Sequence, residues 1–184
     1  AAHSQDEQAQ DTPQWTVVDI PADWTRPRIG ANENGFRWYR CIVTPPANWD
    51  GKELALYVEP VDDAREVFLN GVKVASIGAM PPKFRSGLGE DEKHTVSANH
   101  FVAGQDNVLA MRVYRKYPRG GFNVGAPILT DGEQAISTKG KWQHIVGDNE
   151  EYTQWKEEGR DDFRYDQIAD AQEVLESFKQ LADD

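Results

Sequence analysis

The chain has 184 residues, enough for one domain with a full core, and a formal net charge of −11 at pH 7. That charge repels a phosphate backbone and argues against nucleic acid as a partner. No apolar run reaches the roughly 18 residues that would read as a membrane-spanning helix, and six tryptophans among short apolar runs broken by Gly and Pro favour an all-β sandwich over a helical bundle.

Residues 1–14 form a polar run that reads as disordered and is compatible with an end left by signal cleavage. Trp15 to Ile20 reads as a first strand ended by Pro21, and Ala22 to Asn34 as a loop. Gly35 opens a long second strand that Pro45-Pro46 stops. Phe36, Trp38, Arg40 and Ile42 share one of its faces, and Arg37, Tyr39, Cys41 and Val43 the other. Both faces are partly apolar, as in the middle of a sandwich. Glu53 to Val58 is a third strand.

Residues 61–78 are the strongest local signal. Alternating residues flank Asn70-Gly71, which supplies the positive φ that both central positions of a tight hairpin turn require. Val67 and Leu69 alternate with Glu66 and Phe68 on one arm; Val72, Val74 and Ser76 alternate with Lys73, Ala75 and Ile77 on the other. Ala79 to Lys93 is a long loop of the kind that is either functional or mobile. His94 to Val96 is a short strand, and Ser97 to Phe101 a single helical turn. Val108 to Tyr114 is a strand with Val108, Ala110, Arg112 and Tyr114 on one face. Arg115 to Gly125 is a loop, and Ala126 to Thr130 the last strand of the sandwich.

The segment 133–184 reads as an appendage docked on a sandwich that occupies 15–132. It holds an extra strand at 141–146, a short helix at 150–158 and an amphipathic helix at 166–182, with Ile168, Ala171, Leu175, Phe178 and Ala182 on one stripe. That stripe offers a surface for a protein partner. Cys41, the sole cysteine, lies mid-strand and reads as a core residue. No His/Cys grouping has zinc-ligand spacing.

The order of parts, IPADW, a Gly-containing loop, GFRWYRCIVTPP, LALYVEPVDDAREVFLNGVKVASIG and NVLAMRVYRKYPRGGF, resembles the sugar-binding domain of family 2 glycoside hydrolases over Trp15 to about Asp131. The resemblance implies a two-sheet antiparallel jelly roll of the galactose-binding-like kind and an exported protein, periplasmic or extracellular. It implies a mono- or oligosaccharide ligand and no catalysis, because in those hydrolases the catalytic carboxylates stand on a separate barrel. It also brings a structural calcium ion into view, with Asp62 and Asp63 as ligand candidates; no other cofactor is expected.

Sugar binding needs an aromatic platform for C–H faces and planar polar groups for vicinal hydroxyls. The loops supply Trp24, Arg26, Arg28 and Asn34, then Phe84 and Arg85, then Tyr117, Arg119, Phe122 and Asn123. Of these, Trp24, Arg26, Arg28, Asn34, Tyr117, Arg119 and Asn123 are the expected ligand contacts. Tyr39 and Arg40 either reach the rim or, as the strand pattern favours, serve the core beside Trp38, with Arg40 in a cross-strand ion pair. Two other readings stay open: a structural or protein-interaction sandwich without a sugar site, and a divergent glycoside hydrolase or carbohydrate esterase. For the second, carboxylate pairs arise by chance among 31 Asp and Glu, and there is no GxSxG-like elbow.

Overall fold

The structure is a computed structural model, and it describes residues 14–21, 35–59, 63–116 and 126–180. In chain order the strands begin with β1 (Thr16–Ile20), β2 (Gly35–Val43), β3 (Leu54–Tyr57), β4 (Ala64–Leu69), β5 (Val72–Ile77) and β6 (Lys93–Val96). They continue with β7 (Asn107–Arg115), β8 (Ile128–Thr130), β9 (Gln134–Ser137), β10 (Gly140–Val146), β11 (Arg164–Tyr165) and β12 (Ile168–Asp170), and the chain closes with helix α1 (Ala171–Gln180). Among the described residues they form two sheets, one ordered β1-β10-β2-β7-β4-β5 with β11 beside β2, the other β12-β9-β8-β3-β6. All pairings are antiparallel except β11 with β2, so the architecture is the predicted β-sandwich.

The core lies between the sheets. Tyr39, Cys41 and Val43 of β2, Val67 and Leu69 of β4, and Leu109, Met111 and Val113 of β7 face Leu54 and Leu56 of β3 and Leu129 of β8. Period-2 alternation alone puts these residues on one face. Cys41 is among them, fully buried, and burial pushes its thiol pKa up, so it is a packing residue. The outer face of β2 is buried too: Trp38 and Ile42 are covered by the segment that follows β10. Trp38, Trp49 and Trp142 are 0% exposed, so half of the unusual tryptophan content serves packing rather than recognition.

The β4–β5 hairpin turns at Asn70 (φ 51°) and Gly71 (φ 82°), as the sequence predicts. Asn70 also ties the turn to β7: its Oδ1 accepts from the Val108 N–H at 2.9 Å, and its Nδ2 donates to Asn107 Oδ1 at 2.7 Å. One detail differs. Phe68 pairs with Lys73 but Val67 pairs with Ala75, so Val74 is an extra residue in a bulge. The bulge shifts the alternation of β5 by one residue, so Lys73 stands opposite Phe68 on the outer face, while Ala75 and Ile77 beyond the bulge are buried.

The segment after residue 132 is no appendage to a finished sandwich. β10 lies between β1 and β2, β9 extends the second sheet beyond β8, and β12 forms that sheet's edge. Without β10, β1 would have no neighbour and one edge of β2 would carry unpaired backbone groups, which a buried strand does not tolerate. The helix begins at Ala171, not at Asp166, because Ile168–Asp170 pairs with β9. Asp170 then caps it, its Oδ1 accepting from the N–H groups of Gln172 (3.0 Å) and Glu173 (3.2 Å). Ala171, Val174, Leu175 and Phe178 pack on Tyr57, Ile128 and Ala135, the outer face of the second sheet. Of the expected apolar stripe, Ala171, Leu175 and Phe178 thus pack on the chain's own sheet, while Ile168 is exposed on β12. The short helix expected at 150–158 is a single 3-10 turn, Glu150–Thr153, capped by Asn149.

Candidate functional site

The expected ligand contacts Trp24, Arg26, Arg28, Asn34, Tyr117, Arg119 and Asn123, like Phe122 and the calcium candidate Asp62, lie outside the described residues. Asp63 is described and buried. It accepts from Arg65 Nε at 3.0 Å and from Arg65 Nη2 at 3.4 Å, so a guanidinium contacts both its oxygens. Among the described residues no three His, Cys, Asp or Glu side chains are grouped as metal ligands would be.

Tyr39 belongs to the core, 2% exposed, with burial raising its pKa. Arg40 is also buried, but its ion pair runs to the tail rather than to a neighbouring strand. Nη2 reaches Glu157 Oε2 at 2.6 Å, Nη1 donates to the Gln154 carbonyl, and only Nε bonds across the strands, to Gln143 Oε1 at 2.8 Å. Its guanidinium lies 3.8 Å from the Trp15 ring centroid and 4.3 Å from that of Trp155. Burial pulls the Arg40 pKa down while the Glu157 bond pulls it back. This is a clasp that holds Trp15 and the tail on the sheet.

Phe84 is the one candidate loop aromatic among the described residues. The loop carrying it is pinned rather than loose. Ala79 and Arg85 exchange both backbone hydrogen bonds, Gly78 N–H donates to Glu90 Oε2 at 2.9 Å, and Gly87 N–H donates to the Asp63 carbonyl at 2.8 Å. Gly78 (φ +71°) lies so close to the returning chain that a Cβ there would sit 2.4 Å from the Arg85 carbonyl oxygen. Arg85 itself turns to Glu90.

Held this way, the Phe84 ring meets Tyr114 at 5.6 Å between centroids, and Tyr114 meets Phe36 at 4.9 Å. Phe36 and Tyr114 are direct partners across β2 and β7, on the outer face of the first sheet. All three rings are half-buried, and the exposed Lys116 places its ammonium 5.1 Å from the Phe84 centroid. The result is a short row of three rings at one end of the sheet.

Beside the row stands a fixed charged group. Arg112 lies with its guanidinium carbon 4.5 Å from the Phe36 centroid. It binds Asp148 through both carboxylate oxygens, Nε–Oδ1 at 2.8 Å and Nη2–Oδ2 at 2.6 Å, and Glu66 through Nη1 at 3.1 Å. The Trp38 indole N–H donates to the same Asp148 oxygen at 3.1 Å. Lys73 Nζ lies 3.5 Å from the other Glu66 oxygen. Burial raises the Asp148 pKa, but the hydrogen bonds from Arg112 and Trp38 outweigh it and hold the carboxyl below the usual range. The bond to Asp148 raises the Arg112 pKa in turn. Asp148 is therefore ionised at neutral pH and acts as an acceptor, not as a proton donor.

Reading the sequence missed Phe36, Glu66, Arg112, Tyr114 and Asp148 as a group. Strand alternation puts Phe36 on an outer face with Trp38, and Tyr114 on an outer face with Arg112. Only the register of β2 with β7, and of β4 with β7, brings those faces together.

No family model matches the chain, and no curated protein matches it. Among solved structures it is similar to a family 2 glycosyl hydrolase from Bacteroides cellulosilyticus, with 18% identity and a TM-score of 0.46 over 80% of this chain and 19% of that one. It is also similar to a β-D-glucuronidase from Dictyoglomus thermophilum, with 13% identity and a TM-score of 0.41 over 72% of this chain and 26% of that one. The chain thus spans about a fifth to a quarter of the length of these proteins.

Proposed function

We propose that the chain is a non-catalytic carbohydrate-binding module. The observation that carries this reading is the row Phe84–Tyr114–Phe36 lying against Arg112, Glu66 and Asp148. The exposed parts of the three half-buried rings offer apolar surface to the C–H groups of a pyranose, and a carboxylate pair locked on one guanidinium offers acceptors in fixed positions to its hydroxyls. Because the Arg112 and Asp148 side chains are already held, little rotamer entropy is lost on binding. The sequence resemblance to a sugar-binding domain supports the same reading.

The test is titration calorimetry with neutral mono- and oligosaccharides, repeated with Tyr114→Ala and Phe84→Ala. Wild-type binding in the micromolar to millimolar range, lost in either variant, is the expected result. Heat absent with every saccharide at millimolar concentration would overturn the proposal.

A further inference from the structure

A second feature of the same outer face extends the ring row. Between the β4–β5 hairpin and the Glu150–Thr153 turn runs an open groove of about 650 Å³. Phe68 lies along it, half-buried, its ring tilted against that of Trp38 with 5.4 Å between centroids. The hairpin tip and the turn form its walls, closest where Gly71 faces Thr153. Lys73, Glu151 and Gln154 supply charged and amide groups along the walls. Lys73 is common to both places: it lines the groove and touches Glu66, the carboxylate that holds Arg112 beside the ring row.

The register gives the separation. Tyr114 is opposite Ala64 and Ala110 is opposite Phe68, so the two aromatic positions are four residues apart along β4 and β7. At the rise of a β-strand that is about 13 Å. One pyranose cannot reach both. The charged groups between them and along the groove are Glu66, Asp148, Glu150 and Glu151 against Arg112 and Lys73, with Lys156 on Glu151 and Lys116 over Phe84, so the track itself is close to balanced, on a chain of formal net charge −11.

Building on the carbohydrate reading above, we infer that the ligand is an extended neutral oligosaccharide. It lies from the Phe84–Tyr114–Phe36 row, past Arg112 and Glu66, into the groove beside Phe68. The groove stacks a second ring, and the net negative charge of the chain disfavours ligands bearing uronate or sulfate.

The experiment is calorimetry on the full chain with a neutral series from mono- to tetrasaccharide and an anionic series of equal length. Tri- and tetrasaccharides are expected to bind about tenfold more tightly than the monosaccharide, the gain of one further stacked ring. The anionic chains are expected to bind more weakly than the neutral ones. Phe68→Ala should bring the chain-length ratio down towards one. Because Phe68 also packs on Trp38, Gln154→Trp, an exposed substitution that fills the groove, provides the same readout without touching the core. If the monosaccharide binds and longer chains bind no more tightly, or if Gln154→Trp leaves the ratio unchanged, the groove has no part in binding and the inference falls while the ring-row site stands. Tighter binding of the anionic series would also overturn it. If no saccharide of any length binds, both readings fall together.

Discussion

The two outer faces of the sandwich are covered in opposite ways. Over the second sheet lies a helix whose Ala171, Val174, Leu175 and Phe178 pack on Tyr57, Ile128 and Ala135. Over the first sheet lies a chain of turns that uses few aliphatic side chains. It grips through Arg40 between Trp15 and Trp155, Asp148 on Arg112 and Trp38, and Trp155 and Phe163 on Ile42. An aliphatic cover excludes water without direction. A cover of rings and ion pairs must be aimed, and at its margin stand half-buried rings and fixed carboxylates. The difference explains why the candidate site sits on the first face.

Breaking each cover at its main contact separates them. Arg40→Ala removes a buried guanidinium from between two indoles, leaving a cavity and an exposed Glu157 that water can solvate, so we expect a loss of about 2–3 kcal/mol. Urea unfolding followed by tryptophan fluorescence measures it, and a loss below about 1 kcal/mol would mean that the clasp is ornamental. Phe178→Ala opens the helix seal and should cost about 2–3 kcal/mol, at the low end for a core phenylalanine because the residue lies in the last turn. If the covers are independent, the double variant is additive within about 0.5 kcal/mol. Coupling beyond that would show that the sheets transmit strain from one face to the other.

Much of this arrangement was legible in the sequence. The hairpin turned where Asn70-Gly71 said it would, because that dipeptide meets a backbone requirement with no tertiary help. Strand β2 kept both of its faces as alternation predicted, since side-chain direction in a strand is a local property. What failed was non-local. The strand at 140–146 read as an extra because nothing in GKWQHIV says that it lies between β1 and β2. The helix lost its first residues to β12, because Gln134–Ser137 offered an edge to pair with. The ring row was hidden for the same reason: Phe36, Tyr114 and Glu66 meet through register, whereas the loop residues that the sequence offers as ligand contacts lie outside the described residues.

A third prediction lies between the sheets rather than on either face. His144 is buried against Tyr39, with Thr16 Oγ1 3.3 Å from its Nδ1. Burial, with the positive Arg37 adding to it, brings its pKa from the ordinary 6.5 down to about 4. The unfolded chain therefore binds a proton that the folded chain refuses between those values. His144 carries no penalty above pH 6.5, and stability falls as the pH drops towards 4, by about 2 kcal/mol at pH 5. His144→Gln should flatten that limb of the stability–pH curve. If the acid limb persists unchanged in the variant, the sensitivity belongs to the ion pairs of the first cover instead.

The smallest effect on stability, and the most telling for the site, should come from Asp148→Asn. Asp148 is exposed, so its pair with Arg112 is screened, and losing the charge should cost about 1 kcal/mol. The sign with pH is the reverse of a gain on acidification. The folded-state pKa is depressed, so the contribution is present above the ordinary carboxylate range and disappears as the pH falls through the folded value. Binding should respond more strongly than folding. The amide can accept only through one oxygen, so it cannot hold both Arg112 nitrogens and the Trp38 indole N–H in the same way, and the guanidinium over Phe36 loses its anchor. A variant that folds almost as well as the wild type yet binds saccharide at least about tenfold more weakly would mark the first cover as built for recognition. Equal binding would reduce it to a second way of sealing a sheet.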